Sequence, residues 1–138
     1  LSRGRELGVH LRLSPDSFIP RLENIDFTND LVTIIGNLVD NAMETLLDSS
    51  KKHVDVLLLY EEEFVRIEVQ DSGPGIPSKL WENIFEKGFS TKARDRGFGL
   101  ALVRKVLDLR KGTLSFDSSL QLGTTFRVAI PYEEVKKS

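Results

Sequence analysis

The chain has 138 residues, of which 40% are apolar and 29% charged, enough for one domain with a real hydrophobic core and too apolar for disorder. A formal charge of −2 argues against a nucleic-acid binder, and the absence of cysteine excludes disulfides and thiolate metal sites. No apolar run reaches transmembrane length, nothing at the start resembles a signal peptide, and an opening Leu1 rather than Met suggests a fragment of a longer protein.

In chain order, Leu7-Gly8-Val9-His10-Leu11-Arg12-Leu13 alternates apolar and other residues, the pattern of a half-buried strand. Ser14-Pro15-Asp16-Ser17 reads as a turn or a helix start. Leu31, Ile34, Ile35, Leu38, Ala42 and Leu46 recur at helical spacing and predict a long helix over 28–47, opened by Thr28, Asn29 and Asp30. Apolar and β-branched runs at 54–59 and 65–69 flank an acidic turn, Glu61-Glu62-Glu63, and predict a hairpin. The stretch 71–92 is rich in Gly, Pro, Ser and Lys, with at most a short helix near 80–84. A connection of that length inside a compact domain is usually functional. A second helix is expected over 100–109, closed by Lys111-Gly112, and a final hairpin over 113–116 and 124–130. The elements add up to an α/β sandwich in one domain spanning 1–138.

Three constellations carry chemistry. Asn37 and Asn41 stand four apart and share one helix face, which Glu44 and Asp48 continue. A solvated face would explain this stripe, yet asparagine is a poor helix-interior residue. Its amide oxygen is also a hard, neutral ligand suited to Mg²⁺ beside phosphates. Asp71-Ser72-Gly73-Pro74-Gly75-Ile76 follows a predicted strand, where a carboxylate can accept from an exocyclic amine and glycines let the backbone approach a flat ligand. A capped tight turn reads equally well there. Arg94-Asp95-Arg96-Gly97-Phe98-Gly99-Leu100 opens a helix, whose N-terminal amides favour phosphate, with Lys92, Arg94 and Arg96 at hand to neutralise it. A solvated basic loop is the plain alternative. Neither the G-x-x-x-x-G-K-[ST] loop nor the third glycine of a dinucleotide fingerprint is present.

The order of these pieces is more specific than any one of them, and it resembles the GHKL superfamily of ATP-binding domains. The N box appears as Asn37-Leu38-Val39-Asp40-Asn41-Ala42 and the F box of the ATP lid as Ile84-Phe85-Glu86-Lys87-Gly88-Phe89-Ser90-Thr91-Lys92. Gly97-Phe98-Gly99-Leu100 resembles the second glycine box, and Gly123-Thr124-Thr125-Phe126 the closing Gly-Thr motif. The resemblance runs from about residue 6 to residue 131. It implies a two-layer α+β sandwich in which about three helices cover one face of a mixed sheet of about five strands, with ATP between helix and lid.

ATP-hydrolysing relatives place a glutamate four residues before the magnesium asparagine; here Asn37 stands there and cannot act as a base. That pattern is similar to the sensor histidine kinases, and Gly88-Phe89-Ser90-Thr91-Lys92 resembles their citrate- and dicarboxylate-sensing branch. By this resemblance Asn41 coordinates Mg²⁺ with Asn37 in support, Asp71 binds the adenine amine, and Gly73, Gly75 and Ile76 shape the base pocket. Lys92 and Arg96 contact phosphate from the lid, Gly97, Gly99 and Leu100 position the phosphates, and Thr124 lies near the adenine. Some kinases carry a phosphate-binding lysine one turn after the magnesium asparagine; Glu44 occupies that place, which shifts neutralisation to the lid.

His10 and His53 lie in or beside predicted strands, and neither suits a phosphoacceptor helix. The acceptor is therefore expected on a preceding dimerisation domain, and this chain on its own is expected to be monomeric and not to phosphorylate itself. The expected setting is the cytoplasmic part of a kinase anchored in the bacterial inner membrane, acting on a response regulator. Two alternatives stand beside this one: an anti-sigma-factor-type serine kinase, which ordinarily keeps the glutamate missing at Asn37, and a nucleotide-binding regulatory module without transfer activity.

Overall fold

In the computed structural model, residues 10–46, 53–82, 99–120 and 122–133 are described. The elements run β1 (His10–Leu13), α1 (Ile25–Thr45), β2 (His53–Glu61), β3 (Phe64–Asp71), a single 3₁₀ turn (Ser78–Leu80), α2 (Gly99–Arg110), β4 (Thr113–Ser119) and β5 (Gly123–Pro131). They build one five-stranded sheet in the order β1-β2-β3-β5-β4. Only β1 and β2 pair in parallel, His10 opposite His53 and Leu13 opposite Val56; the other pairings are antiparallel. The sheet is thus mixed, as expected, and α1 makes the crossover that a parallel pair requires.

One face of the sheet is covered and the other open. Val54, Val56, Val65, Ile67, Val69, Phe126, Val128 and Ile130 point to the covered face, where they meet Phe27, Leu31, Ile34, Leu38 and Met43 of α1 and Leu100, Val103 and Leu107 of α2. Phe27, Leu31, Ile34 and Leu38 recur at i, i+4, i+7 and i+11, the stripe an amphipathic helix buries. Leu38 is wholly buried, and Leu38→Ala is expected to remove about 2–5 kcal/mol of stability, read as a lower denaturation midpoint at unchanged slope. The open face carries exposed ion pairs, among them Arg12–Asp55 at 3.2 Å and Arg127–Glu68 at 3.7 Å, each contributing ~1 kcal/mol or less.

The structure departs from the sequence reading in two places. Among the described residues there are two α-helices rather than about three, with a 3₁₀ turn at Ser78–Leu80; the second half of the short helix expected near 80–84 lies outside the described residues. The first helix starts earlier than Thr28: Asn24 caps it, accepting from the Phe27 amide at 3.0 Å, and Thr28 Oγ1 bonds back to the Asn24 carbonyl at 3.1 Å. The apolar stripe extends back to Phe27, so burial rather than the most cap-like run sets the start. Ser14–Ser17 is a turn, one of the two readings its sequence allowed, closed by Ser17 N–H to the Ser14 carbonyl at 3.0 Å.

α2 runs back along α1. Arg110, at its C-terminal end, pairs with Asp30 at 2.7 Å and lies 5.2 Å over the Phe27 ring, near the start of α1. Gly99, at its N-terminal end, comes up against Asn37 in the middle of α1. Among the described residues no helix is long and apolar enough to cross a membrane.

Candidate functional site

Asn37 and Asn41 of α1 stand one turn apart and both are half-buried. Asn37 Nδ2 donates to the Thr33 carbonyl at 2.7 Å, the local bond that a short polar side chain makes inside a helix. Its oxygen is left facing the head of α2, where a Cβ placed on Gly99 would lie 3.2 Å from Oδ1. Asn41 has no hydrogen-bond partner for its carboxamide among the described residues. Glu44, one turn further, is buried at 6% exposure, so this stripe is not the solvated face that composition allows. Leu100 packs into the core, which leaves its backbone N–H, with that of Gly99, as the group α2 offers at its N-terminus.

Asp71 ends β3 and is 3% exposed. The Gly73 amide donates to its Oδ1 at 2.9 Å. Burial raises its pKa from the ordinary 3.8 to about 6, against the opposing pull of the Gly73 and Thr124 backbone amides. Thr124 lies directly opposite Asp71 in the β3–β5 pairing and is itself buried. The loop leaving Asp71 keeps Gly73 and Ile76 buried and turns through Gly75 at φ +82°. Asp71, Gly73, Gly75, Ile76 and Thr124 are therefore brought together at one end of the sheet. Asn37, Gly99 and Leu100 meet separately, where α1 and α2 touch. Lys92, Arg96 and Gly97 lie outside the described residues, as do the F box 84–92 and Phe98.

Two residues enter the site that sequence reasoning did not assign to it. Ser118 Oγ accepts from the Ile76 amide at 2.6 Å and lies 2.8 Å from Thr124 Oγ1. A hairpin register would have found it, since β4 and β5 pair Ser118 with Thr124. Trp81 Nε1 donates to the Ile76 carbonyl at 2.9 Å, and its ring meets Phe116 edge-on at 5.5 Å. Trp81 thus anchors the loop to the sheet; Phe85 and Phe89 of the F box lie outside the described residues. His10 and His53 are exposed neighbours on β1 and β2, their rings stacked at 5.4 Å, on strands rather than on a helix.

Residues 27–134 match the family described as histidine kinase-, DNA gyrase B-, and HSP90-like ATPase. A probable C4-dicarboxylate sensor kinase of Halalkalibacterium halodurans is 39% identical over 135 residues, covering 95% of this chain and 25% of that protein. The sensor protein CitS of the same organism is 38% identical over 141 residues, covering 99% and 26%. The chain spans about a quarter of the length of these curated relatives. Among solved structures, the nucleotide-free catalytic domain of histidine kinase ThkA superposes with a TM-score of 0.76 at 27% identity, over 94% of this chain and 83% of that one. The family match covers most of the chain, and the resemblance to the citrate- and dicarboxylate-sensing branch is borne out by both relatives. The chain belongs to the GHKL family, as a catalytic ATP-binding module of the sensor histidine kinase type.

Proposed function

We propose that this chain, acting as one domain over residues 1–138, binds ATP with Mg²⁺ and donates the γ-phosphoryl group to a histidine on a dimerisation domain of the same kinase. The observation that carries this reading is the state of Asn37. Its nitrogen is committed to the Thr33 carbonyl and its oxygen faces Gly99, so the side chain beside the head of α2 is an amide with no basicity. An amide at that position does not activate water, and the bound nucleotide would keep its γ-phosphoryl group for an external nucleophile. In the transfer, the bond between the γ-phosphorus and the bridging oxygen breaks and a bond to an imidazole nitrogen forms; ADP leaves and the imidazole gives up a proton.

The roles divide by position. Asp71, ionised above about pH 6, accepts from the adenine amine, with Gly73, Gly75, Ile76 and Thr124 around the base. The amides of Gly99 and Leu100 face phosphate at the positive end of α2, and Lys92, Arg96 and Gly97 complete the phosphate contacts. The donor set fits Mg²⁺: Asn41 offers an uncommitted, half-buried amide oxygen, supported by Asn37. Among the described residues no cluster of three or more acidic or histidine side chains could hold a metal by itself, which suits an ion whose remaining ligands are phosphate oxygens and water. Bound Mg²⁺ would neutralise phosphate charge. The domain would work in the cytoplasm, with a parent kinase anchored in the inner membrane and a response regulator downstream, and would be monomeric by itself.

Calorimetric titration with ATP, with and without Mg²⁺, tests the site. Magnesium should tighten binding to the unmodified protein, and Asn41→Ala should abolish that gain while leaving metal-free binding within about twofold. Mixing the ATP-loaded domain with a separately purified dimerisation domain should phosphorylate that domain's histidine and not this chain. Binding without transfer would leave a regulatory module; a folded protein that binds no adenine nucleotide would overturn the reading.

A further inference from the structure

The hydroxyl of Ser118 is the node at which three strands of the base site meet. It accepts the Ile76 amide at 2.6 Å from the loop that follows β3, and it stands 2.8 Å from Thr124 Oγ1 on β5. Thr124 in turn directs its backbone N–H at the buried carboxylate of Asp71. A serine hydroxyl has one proton and two lone pairs, so it can hold both neighbours at once, which no apolar side chain of the same size can do. The same loop touches β4 again one residue on: a Cβ placed on Gly75 would fall 2.4 Å from the Ser119 carbonyl oxygen. The far side of Ile76 is also tied, its carbonyl accepting from Trp81 Nε1 at 2.9 Å. The loop after Asp71 is therefore bonded to β4 at Ile76 and passes close against it at Gly75, and Ile76 is held at both of its backbone polar groups.

We infer that Ser118 is a positioning residue for nucleobase selectivity: it sets Ile76 and Thr124 at the spacing from Asp71 that an adenine ring fits. The inference rests on the nucleotide site proposed above and extends it to a residue outside the family motifs. Its effect should be confined to the base, because Ser118 pairs with Thr124, itself opposite Asp71, whereas the groups offered to phosphate lie at the head of α2. Losing the hydroxyl leaves the Ile76 amide unpaired and lets the loop drift from Thr124.

The test compares ATP with GTP, which shares the triphosphate but not the exocyclic amine at the same ring position. Direct titration of the unmodified protein, Ser118→Ala and Ser118→Thr reports both affinities, with circular dichroism confirming the fold. Ser118→Ala should lose about tenfold in ATP affinity while GTP affinity changes less than twofold, so that selectivity falls by about the same factor. Ser118→Thr, which restores a hydroxyl, should keep most of the selectivity. A parallel loss for both nucleotides, unchanged ATP affinity in Ser118→Ala, or a threonine variant that behaves like the alanine one would each overturn the assignment. If Ser118→Ala fails to fold, the threonine variant decides alone, by keeping or losing its preference for ATP. Failure of the unmodified protein to bind ATP would instead remove the nucleotide site itself.

Discussion

Asp71→Asn is expected to lower ATP affinity about a hundredfold and, at neutral pH, to leave the ligand-free protein at least as stable as before. The first effect follows from the hydrogen-bonding groups. Asp71 Oδ1 is occupied by the Gly73 amide, and an asparagine would keep its oxygen on that backbone donor. Its NH₂ would then face the adenine amine, replacing a charge-assisted bond by two opposed donors, a change of about 2–3 kcal/mol. The second effect follows from burial, which raises the carboxyl pKa from 3.8 to about 6. Between those two values the folded protein holds a proton that the unfolded chain has released. Stability therefore rises as pH falls from about 6 to about 4, and the cost of the buried charge is felt in full above 6. That cost is about 3 kcal/mol at most, and asparagine does not carry it.

Thermal unfolding of the two proteins from pH 4 to 8 measures this. Asp71→Asn should melt several degrees higher at pH 7.5, with the difference shrinking toward pH 4. A variant that melts lower at pH 7.5 would mean that the Gly73 and Thr124 amides compensate the charge fully. Adenosine, which has no phosphate to titrate, gives the matching binding profile. Its affinity for the unmodified protein should fall as pH drops below about 6, while the already weak binding of Asp71→Asn stays flat.

Gly123→Ala should unfold or nearly unfold the domain, the largest loss expected from adding a single methyl group. Gly123 has φ +107°, and a Cβ there would fall 2.0 Å from the Asp71 carbonyl oxygen and 3.0 Å from its carbonyl carbon. Both are backbone atoms of the neighbouring strand, so no rotamer change relieves the overlap; β5 must separate from β3 beside Asp71. Strain at a left-handed φ and overpacking each contribute about 1–3 kcal/mol, together about 2–6 kcal/mol, a large part of the stability of a domain this size. Any folded remnant should also lose ATP, because Thr124 follows Gly123 directly. Gly36→Ala is the control with the opposite sign: nothing lies within 4 Å of a Cβ at that exposed helix position, and a gain of about 0.5–1 kcal/mol is expected. Urea titrations of both variants check the pair. A Gly123→Ala protein within 1 kcal/mol of the unmodified one would show that the β3–β5 junction yields more easily than its geometry implies.

The sequence by itself determined the elements and their chemistry, because those signals are local. A stripe at helical spacing specifies α1, β-branched runs around Glu62 and Glu63 specify the β2–β3 hairpin, and the order from Asn37 to Thr124 points to the family and its branch. That Asn37 stands where hydrolysing relatives carry a base is likewise legible with no coordinates at all. The tertiary structure decided everything that depends on residues far apart in the chain. Burial of Phe27 against the sheet, not the cap-like run at Thr28, set where α1 begins. Antiparallel packing of α2 on α1 brought Gly99 to Asn37, a contact across 62 positions that no periodicity encodes. The raised pKa of Asp71 exists only because the covered face of the sheet excludes water from it. Ser118, one of many surface-like serines when read along the chain, joined the cluster around Asp71 because strand register set it opposite Thr124, and register is fixed when strands pair.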